Sequence, residues 1–311
     1  MDWTDTDACR AATAMCELAG LRGAIPELLR FGNNAVFGIG EAYVVRVMRP
    51  TTSEADVQRE IELVREFARL DVPAVRLADL TTPQPLEAHD CLGTVWERLK
   101  KPDHGGIYGP FGQLLRTFHQ RTAKLGLPLE SWRPLASSER RLAELDGHYT
   151  PEDITMLTQW SRRIDVELGQ VEPVLPGGVI HGQAEVGNVL LRVDEPVFID
   201  FERVAIGPRE WDLIDTAVAV TRFGLPEQCY RDFADAYGFD VRAWNCYEIY
   251  RRLWELRATT WLMQNGHHSR EAAREVEVRL QTWRDEDPDT RWTGVFDQGR
   301  SRHREGWGSS D

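Results

Sequence analysis

The chain has 311 residues, of which 42% are apolar and 28% charged, with 25 glycines and 16 prolines. This composition is typical of a globular protein and excludes a disordered, collagen-like or coiled-coil chain. At roughly 300 residues a hydrophobic core usually divides, so two lobes or domains are expected.

The charge balance argues against nucleic acid as a partner. The 37 basic and 50 acidic residues give a formal net charge of −13, which repels a phosphate backbone. A cationic small substrate would suit this charge, although solubility alone also explains it. The acidic start of the chain lacks the basic and apolar regions of a signal peptide, and no stretch of about 18 apolar residues occurs, so neither export nor membrane contact is expected.

The five cysteines are odd in number and widely spread, without a C-x-x-C pair. This pattern favours neither a disulfide scaffold nor a zinc site, and it predicts buried thiols in a reducing cytoplasm.

The first hundred residues predict a small antiparallel sheet carrying one helix. Alternating apolar residues and Gly or Asn turns indicate strands at 28–31, 35–39 and 43–48. A helix capped by Ser53 follows, with apolar residues at helical spacing through Ala68. Two further strands are expected at 75–77 and 94–99, separated by a polar, proline-containing stretch, 81–90.

A linker at 101–106 precedes a mainly helical region. Helical spacing indicates helices near 111–118, 137–146 and 151–169, and again from Trp211 to about Trp283. Three short apolar strands interrupt them, at 179–181, 188–193 and 197–200. We therefore expect a first lobe over 1–98, a helical lobe over 99–283, and a polar segment over 284–311 that forms either a frayed tail or a strap.

Several polar groups gather at the ends of two of these strands. The loop 181–188 has the sequence His-Gly-Gln-Ala-Glu-Val-Gly-Asn, and Ile-Asp-Phe-Glu follows at 199–202, with Gly-Pro-Arg-Glu-Trp-Asp-Leu at 207–213. These segments resemble the His-Gly-Asp-x-x-x-x-Asn, Asp-Phe-Glu and Gly-Pro-x-x-x-Asp signatures of the aminoglycoside phosphotransferase-like kinases. The resemblance extends from about residue 28 to about residue 265.

The resemblance implies a two-lobed, protein-kinase-like α+β fold that binds Mg·ATP in the cleft between its lobes. It implies that Asn188 and Asp200 hold the metal ion against the nucleotide phosphates. Phosphoryl transfer requires mainly positioning and charge neutralisation, and Mg²⁺ prefers a few hard oxygen ligands while it keeps several waters.

The resemblance also assigns nucleotide-binding residues to the first lobe. Arg46 on the third strand would contact the α- and β-phosphates, with Glu60 of the following helix holding it in place. The turn containing Asn33 and Asn34 would cover the nucleotide, and Glu97 would begin a hinge whose backbone binds the adenine edge. From the residues alone, an alternative interpretation is that Arg46 and Glu60 are exposed charges and that the turn is an ordinary hairpin.

The sequence departs from the family pattern at Gln183, where the family has an aspartate that accepts the substrate proton. An amide oxygen can orient a hydroxyl but cannot hold a proton at neutral pH. Three interpretations stay open: Gln183 orients while Glu185, solvent or the phosphate takes the proton; the protein binds without turnover; or Gln183 is an introduced substitution. His181 is expected to brace the loop, whereas His119 is interpreted as a helix-surface or core-edge residue.

We therefore expect an ATP-dependent phosphotransferase acting on a hydroxyl of a small metabolite or natural-product intermediate. An amine-bearing, cationic acceptor fits the acidic charge, and a peptide or protein partner stays open. The alternative is a kinase-fold protein that binds nucleotide, ligand or partner without turnover.

Overall fold

The computed structural model describes residues 3–32, 34–103, 106–145, 147–266 and 269–294. These residues form nine α-helices and nine β-strands. The helices are α1 (Asp5–Leu18), α2 (Glu54–Arg69), α3 (Tyr108–Arg121), α4 (Ala136–Glu144), α5 (Pro151–Leu168), α6 (Trp211–Phe223), α7 (Glu227–Tyr237), α8 (Tyr247–Asn265) and α9 (Arg270–Arg284). The strands are β1 (Glu27–Phe31), β2 (Asn34–Ile39), β3 (Tyr43–Met48), β4 (Leu86–Ala88), β5 (Cys91–Glu97), β6 (Gly178–Ile180), β7 (Val189–Arg192), β8 (Glu195–Phe198) and β9 (Ala205–Gly207).

The chain divides into two compact units that are not continuous in sequence. The first unit comprises Met1–His104, Gln120–Pro128 and Asn188–Glu202, and the second comprises Gly105–His119, Leu129–Gly187 and Arg203–Asp311. The hairpin of β7 and β8 therefore belongs to the first unit, although the sequence analysis assigns it to the helical lobe.

The first unit is built on a five-stranded antiparallel sheet with the strand order β1-β2-β3-β5-β4. The three predicted strands between residues 28 and 48 are confirmed within one residue. The stretch 81–90 is not only loop, because it contains β4, whose buried Leu86 pairs with Gly93 of β5. The strand expected at 75–77 is wrong, since only an isolated bridge between Leu77 and Trp96 forms there.

Both faces of this sheet are covered by a helix, whereas the sequence analysis expects only one. On one face, buried residues of α1 such as Ala8 and Met15 share a core with Val45 and Val47 of β3. On the other face, Met48 packs with Val57 and Ile61 of α2. Because side chains alternate along a strand, Arg46 and Met48 face α2 while Val45 and Val47 face α1.

The second unit is organised around α8, which packs against α4, α5, α6 and α9. The buried Glu255 of α8 accepts hydrogen bonds from Arg222 Nε (2.7 Å) and Arg251 Nη1 (2.6 Å), so one carboxylate pairs with these two buried arginines. The short strand β9, which the sequence analysis does not predict, pairs with β6.

The segment after α9 packs on the second unit over its described part, 285–294. Trp292 is buried there, and its backbone N–H donates to the Arg222 carbonyl oxygen at 2.7 Å. The strap interpretation therefore applies to 285–294, and the remainder of the predicted tail, 295–311, lies outside the described residues.

None of the described helices combines the length and apolarity needed to cross a bilayer. All five cysteines are free thiols, but only Cys16 and Cys91 are buried and Cys9 is exposed, so the expectation of five buried thiols is wrong.

Gly182, directly after β6 and His181, is the tightest backbone position of the loop 181–188. Its φ is +79°, and a Cβ atom built there would lie 2.2 Å from the Arg203 carbonyl oxygen. Only glycine allows both the left-handed conformation and this approach of two backbone segments. The segment after β8 therefore sets the path of the loop within the second unit.

A Gly182→Ala substitution is expected to lower the free energy of unfolding by about 2–5 kcal/mol, since it adds a backbone clash to a positive φ. Gly147→Ala is the matched control, because Gly147 has φ +83° and an added Cβ would have no atom within 4 Å. The control should lose only about 1–2 kcal/mol in urea unfolding followed by circular dichroism. Equal losses in the two variants would show that the loop and Arg203 are not in close contact.

Candidate active site

Asn188 and Asp200 lie at the same end of the hairpin formed by β7 and β8. Val189 pairs with Phe198 in this hairpin, and the Ile199 backbone N–H donates to the Asn188 carbonyl oxygen at 3.0 Å. Asn188 is buried and Asp200 is half-buried. The ladder therefore places Asn188 opposite Ile199, the residue immediately before Asp200.

The backbone at Asp200 adopts a sparsely populated conformation, with φ +68°. Aspartate tolerates this left-handed region better than most residues, and such positions often occur at functional sites. The next residue, Phe201, is buried and meets the Phe67 ring of α2 edge-on at a centroid distance of 5.1 Å. This aromatic contact fixes the strained segment against the helix that carries Glu60.

Arg46 and Glu60 form an ion pair between β3 and α2, as the sequence predicts. The Arg46 guanidinium also lies over the Trp96 ring of β5, 5.3 Å from its centroid. Its Nε atom is buried and has no hydrogen-bond partner among the described residues. Arg46 is thus fixed by a carboxylate and an aromatic ring while one N–H donor remains for a ligand.

The acidic residues after β8 act electrostatically on Arg46. Burial by itself lowers the pKa of the Arg46 guanidinium, but Glu60, Glu202 and Asp200 together outweigh it, so the pKa is raised. Groups from β3, α2 and the segment after β8 therefore form one coupled cluster of charges inside the first unit.

The remaining predicted nucleotide-binding residues have varied surroundings. Asn34 begins β2, and its Nδ2 donates to Glu202 Oε1 at 3.4 Å, whereas Asn33 lies outside the described residues. The Glu97 carboxylate at the end of β5 pairs with Arg192 and accepts the Arg76 N–H at 2.7 Å. The Glu97 N–H donates to the Arg76 carbonyl oxygen at 3.1 Å, so a hinge contact to adenine would need another backbone atom.

In the second unit, the loop 181–188 is held by a buried carboxylate. The two oxygens of Asp212 at the start of α6 accept the backbone N–H groups of His181 (2.6 Å) and Gly182 (2.8 Å). His119 Nε2 lies 3.0 Å from Asp212 Oδ2, and His119 Nδ1 lies 2.9 Å from the Tyr237 hydroxyl. His119 is fully inside the core, so its interpretation as a surface or core-edge residue is wrong.

His181 is buried, and its ring lies 5.9 Å from the Phe118 ring, which agrees with a bracing position. Beyond it, Gln183 Nε2 donates to Glu185 Oε1 at 3.0 Å, and both side chains are half-buried. A carboxylate only accepts hydrogen bonds, so Glu185 determines which end of the Gln183 amide faces it.

No three His, Cys, Asp or Glu side chains converge to hold a metal ion in the part of the chain that the structure describes. Asn188 and Asp200 instead offer one amide and one carboxylate oxygen. Such a sparse donor set suits a hard ion that takes its other ligands from phosphate and water.

Sequence reasoning missed the roles of Asp212, His119 and Glu202. Asp212 lies in the quoted segment 207–213 and Glu202 in the quoted segment 199–202, so both had a signal without an assigned contact. For His119 the sequence carries no signal, because its partners Asp212 and Tyr237 lie 93 and 118 positions away in the chain.

Several solved structures share this fold. Amicoumacin kinase in complex with AMP-PNP, Ca²⁺ and Ami has a TM-score of 0.68 and 17% identity, covering 85% of this chain and 89% of that one. A choline/ethanolamine kinase family protein from Mesorhizobium loti has a TM-score of 0.63 and 19% identity over 90% and 93% of the two chains. The gentamicin complex of APH(2")-IIa has a TM-score of 0.61 and 13% identity over 90% and 97%. The predicted protein-kinase-like α+β fold is confirmed.

No curated protein sequence matches the chain significantly. The family model described as the phosphotransferase enzyme family, APH, matches residues 30–250, which is more than two thirds of the chain. That match covers the end of β1, all of β2 to β9 and most of the second unit's helices, and the chain belongs to the APH phosphotransferase enzyme family.

Proposed function

We propose that the protein transfers the γ-phosphoryl group of ATP to a hydroxyl of a small molecule. The observation that carries this proposal is that the hairpin places Asn188 opposite the residue before Asp200, while Asp200 acts electrostatically on Arg46, the ion-pair partner of Glu60. Family membership supports the reaction class. The amicoumacin kinase complex contains an ATP analogue and a divalent cation, which agrees with nucleotide and metal use in this fold.

Asn188 and Asp200 would hold Mg²⁺ through the amide and a carboxylate oxygen. When bound, the ion neutralises phosphate charge. Asp200 lies between the hairpin and Phe201, which packs on Phe67, so its backbone is held at both sides.

Arg46 would bind phosphate oxygens through its buried Nε–H, and Glu60 would keep the guanidinium in place. An arginine stays charged at all physiological pH values and matches phosphate geometry with its planar donors. Glu60 therefore acts as a positioning residue in this proposal.

In the transfer step the acceptor oxygen bonds to the γ-phosphorus, the bond from that phosphorus to the ADP oxygen breaks, and the hydroxyl proton leaves. Gln183 orients the hydroxyl but does not take its proton. The proton passes to Glu185, to solvent or to a phosphoryl oxygen. Because deprotonation is late in a loose transition state, transfer without a strong base is slow rather than impossible.

A non-catalytic binding protein is the second candidate, and Gln183 is the observation that favours it. General-base catalysis contributes typically about 10²–10⁴-fold, so its loss leaves binding intact while it suppresses turnover. A cytoplasmic location remains a prediction from the free thiols and from the use of ATP.

Asp200→Asn is expected to weaken the binding of Mg·AMP-PNP by about tenfold or more, because a charged metal ligand is lost. Asp194→Asn is the matched control, since Asp194 is exposed in the turn at the other end of the same hairpin. Isothermal titration calorimetry should give wild-type affinity for the control. Equal affinity of Asp200→Asn and wild type would contradict the metal assignment.

Gln183→Asp is expected to raise acceptor-dependent ADP release by tens of fold, because it restores a proton acceptor. Release would be measured with cationic, neutral and anionic hydroxyl compounds, namely choline, gentamicin, glycerol and glycerate. Gln183→Asn, which shortens the amide without adding a base, should show no gain. No gain from the aspartate, in a variant that still binds Mg·AMP-PNP, would favour the non-catalytic candidate.

A further inference from the structure

Three arginines of the second unit, Arg141 of α4, Arg203 after β8 and Arg257 of α8, interact electrostatically with one another. Arg141 is buried, Arg257 is half-buried and Arg203 is exposed. They come from three separate parts of the chain, and only the fold brings their charges together. This arginine cluster is outside every motif that the sequence analysis used.

The arginines of this cluster differ from the other buried arginines of the second unit, because none of the three forms an ion pair with a carboxylate among the described residues. Arg222, Arg251 and Arg279 each pair with a buried glutamate at 3.0 Å or less. Among the described residues the Arg257 guanidinium forms no ion pair and donates no hydrogen bond, whereas the Arg257 carbonyl oxygen accepts from Thr260 Oγ1 at 3.3 Å. Arg141 donates through Nε to Gln264 Oε1 at 3.2 Å, and the nearest acid, Glu144, pairs with Arg140 and accepts from Gln264.

Leaving such charges unpaired is unfavourable. Burial lowers the pKa of the Arg257 guanidinium to about 9, and the charges of Arg203 and Arg141 add to this shift. Burial likewise lowers the pKa of Arg141 to about 10, with Arg203 contributing. At these pKa values Arg141 and Arg257 remain charged at neutral pH, so a bound anion would relieve both the repulsion and the lost solvation.

The cluster is connected to the loop that carries Gln183. The Arg257 guanidinium stacks over the Trp211 ring at 4.7 Å from its centroid, and Trp211 Nε1 donates to the Gly182 carbonyl oxygen at 3.1 Å. The Arg203 backbone also packs directly on Gly182. Arg257 is therefore linked through Trp211 to Gly182, the residue that precedes Gln183, and the Arg203 backbone contacts Gly182 directly.

We propose that Arg141, Arg203 and Arg257 form a subsite for a carboxylate or phosphate group of the acceptor, beside the hydroxyl that Gln183 orients. This inference rests on the proposed function for the identity of the occupant as the acceptor. It replaces the cationic acceptor suggested by the net charge of −13, because local charge decides recognition and net charge does not. Arginine is the side chain best suited to bind such planar or tetrahedral oxyanions.

Sulfate is the test probe, compared with chloride at equal ionic strength. We expect sulfate to raise the melting temperature of the wild-type protein more than chloride does. Arg257→Met and Arg141→Met should each weaken sulfate binding by about ten- to a hundredfold, as loss of a charged hydrogen-bond donor does. Arg162→Met, which removes the same charge from an exposed position of α5, should bind sulfate like the wild type. Unchanged sulfate binding in both cluster variants, or no preference for sulfate in the wild type, would overturn the proposal.

The stability of the variants separates a ligand site from a structural cluster. Because Arg257 has no acidic partner among the described residues, Arg257→Met should not lower the melting temperature in the absence of sulfate. A structural arginine would instead give a clear loss, as the breaking of a buried ion pair does. Such a loss together with unaltered sulfate affinity would count against the subsite.

Mg·AMP-PNP distinguishes the acceptor from the nucleotide as the source of the anion. Simultaneous binding of sulfate and Mg·AMP-PNP supports an acceptor subsite, whereas displacement of sulfate by the nucleotide overturns it. If the wild type binds sulfate but not Mg·AMP-PNP, the proposed function fails while the oxyanion site itself stands. Repeating the titration with acetate and inorganic phosphate identifies which oxyanion the arginines prefer.

Discussion

The antiparallel register of β7 and β8 is the constraint on which the site depends. One backbone hydrogen bond, from the Ile199 N–H to the Asn188 carbonyl oxygen, extends the ladder and fixes Asn188 opposite the residue that precedes Asp200. A slip of one residue would place a different residue opposite Asn188. The packing of Phe201 on α2 then connects this hairpin to the helix that carries Glu60, so backbone geometry and one aromatic contact organise the charges around Arg46.

A second backbone constraint governs the loop that leads into this hairpin. Asp212 accepts hydrogen bonds from two consecutive N–H groups of the loop, His119 Nε2 lies beside the same carboxylate, and Tyr237 contacts the other ring nitrogen of His119. Because buried polar groups are normally hydrogen-bonded, these contacts hold the loop to one backbone path. Gln183 and Glu185 follow directly on a backbone that is fixed in this way.

The sequence predicts the parts of the fold that local chemistry controls. Gly and Asn turns locate β1 to β3, helical spacing locates α2 and α5, and the motif segments identify Asn188 and Asp200. The sequence analysis misses α1, although Thr4 and Asp7 form a capping box and alanines recur on one face. The small residues of α1 do not stand out in the sequence, and their burial follows from packing against one face of the sheet.

Long-range pairing is what the sequence could not reveal. The contacts of His119 and of the arginine cluster form only when residues about 50 to 120 positions apart converge, and no local spacing encodes that convergence.

The central claim is that Asn188 and Asp200 jointly bind the metal of a metal–nucleotide complex. A crystal structure grown with Mn²⁺ and AMP-PNP tests it most directly through anomalous scattering. The account predicts a manganese peak within about 2.5 Å of the Asn188 amide oxygen and an Asp200 carboxylate oxygen. A bound nucleotide whose manganese peak lies away from both side chains would contradict it.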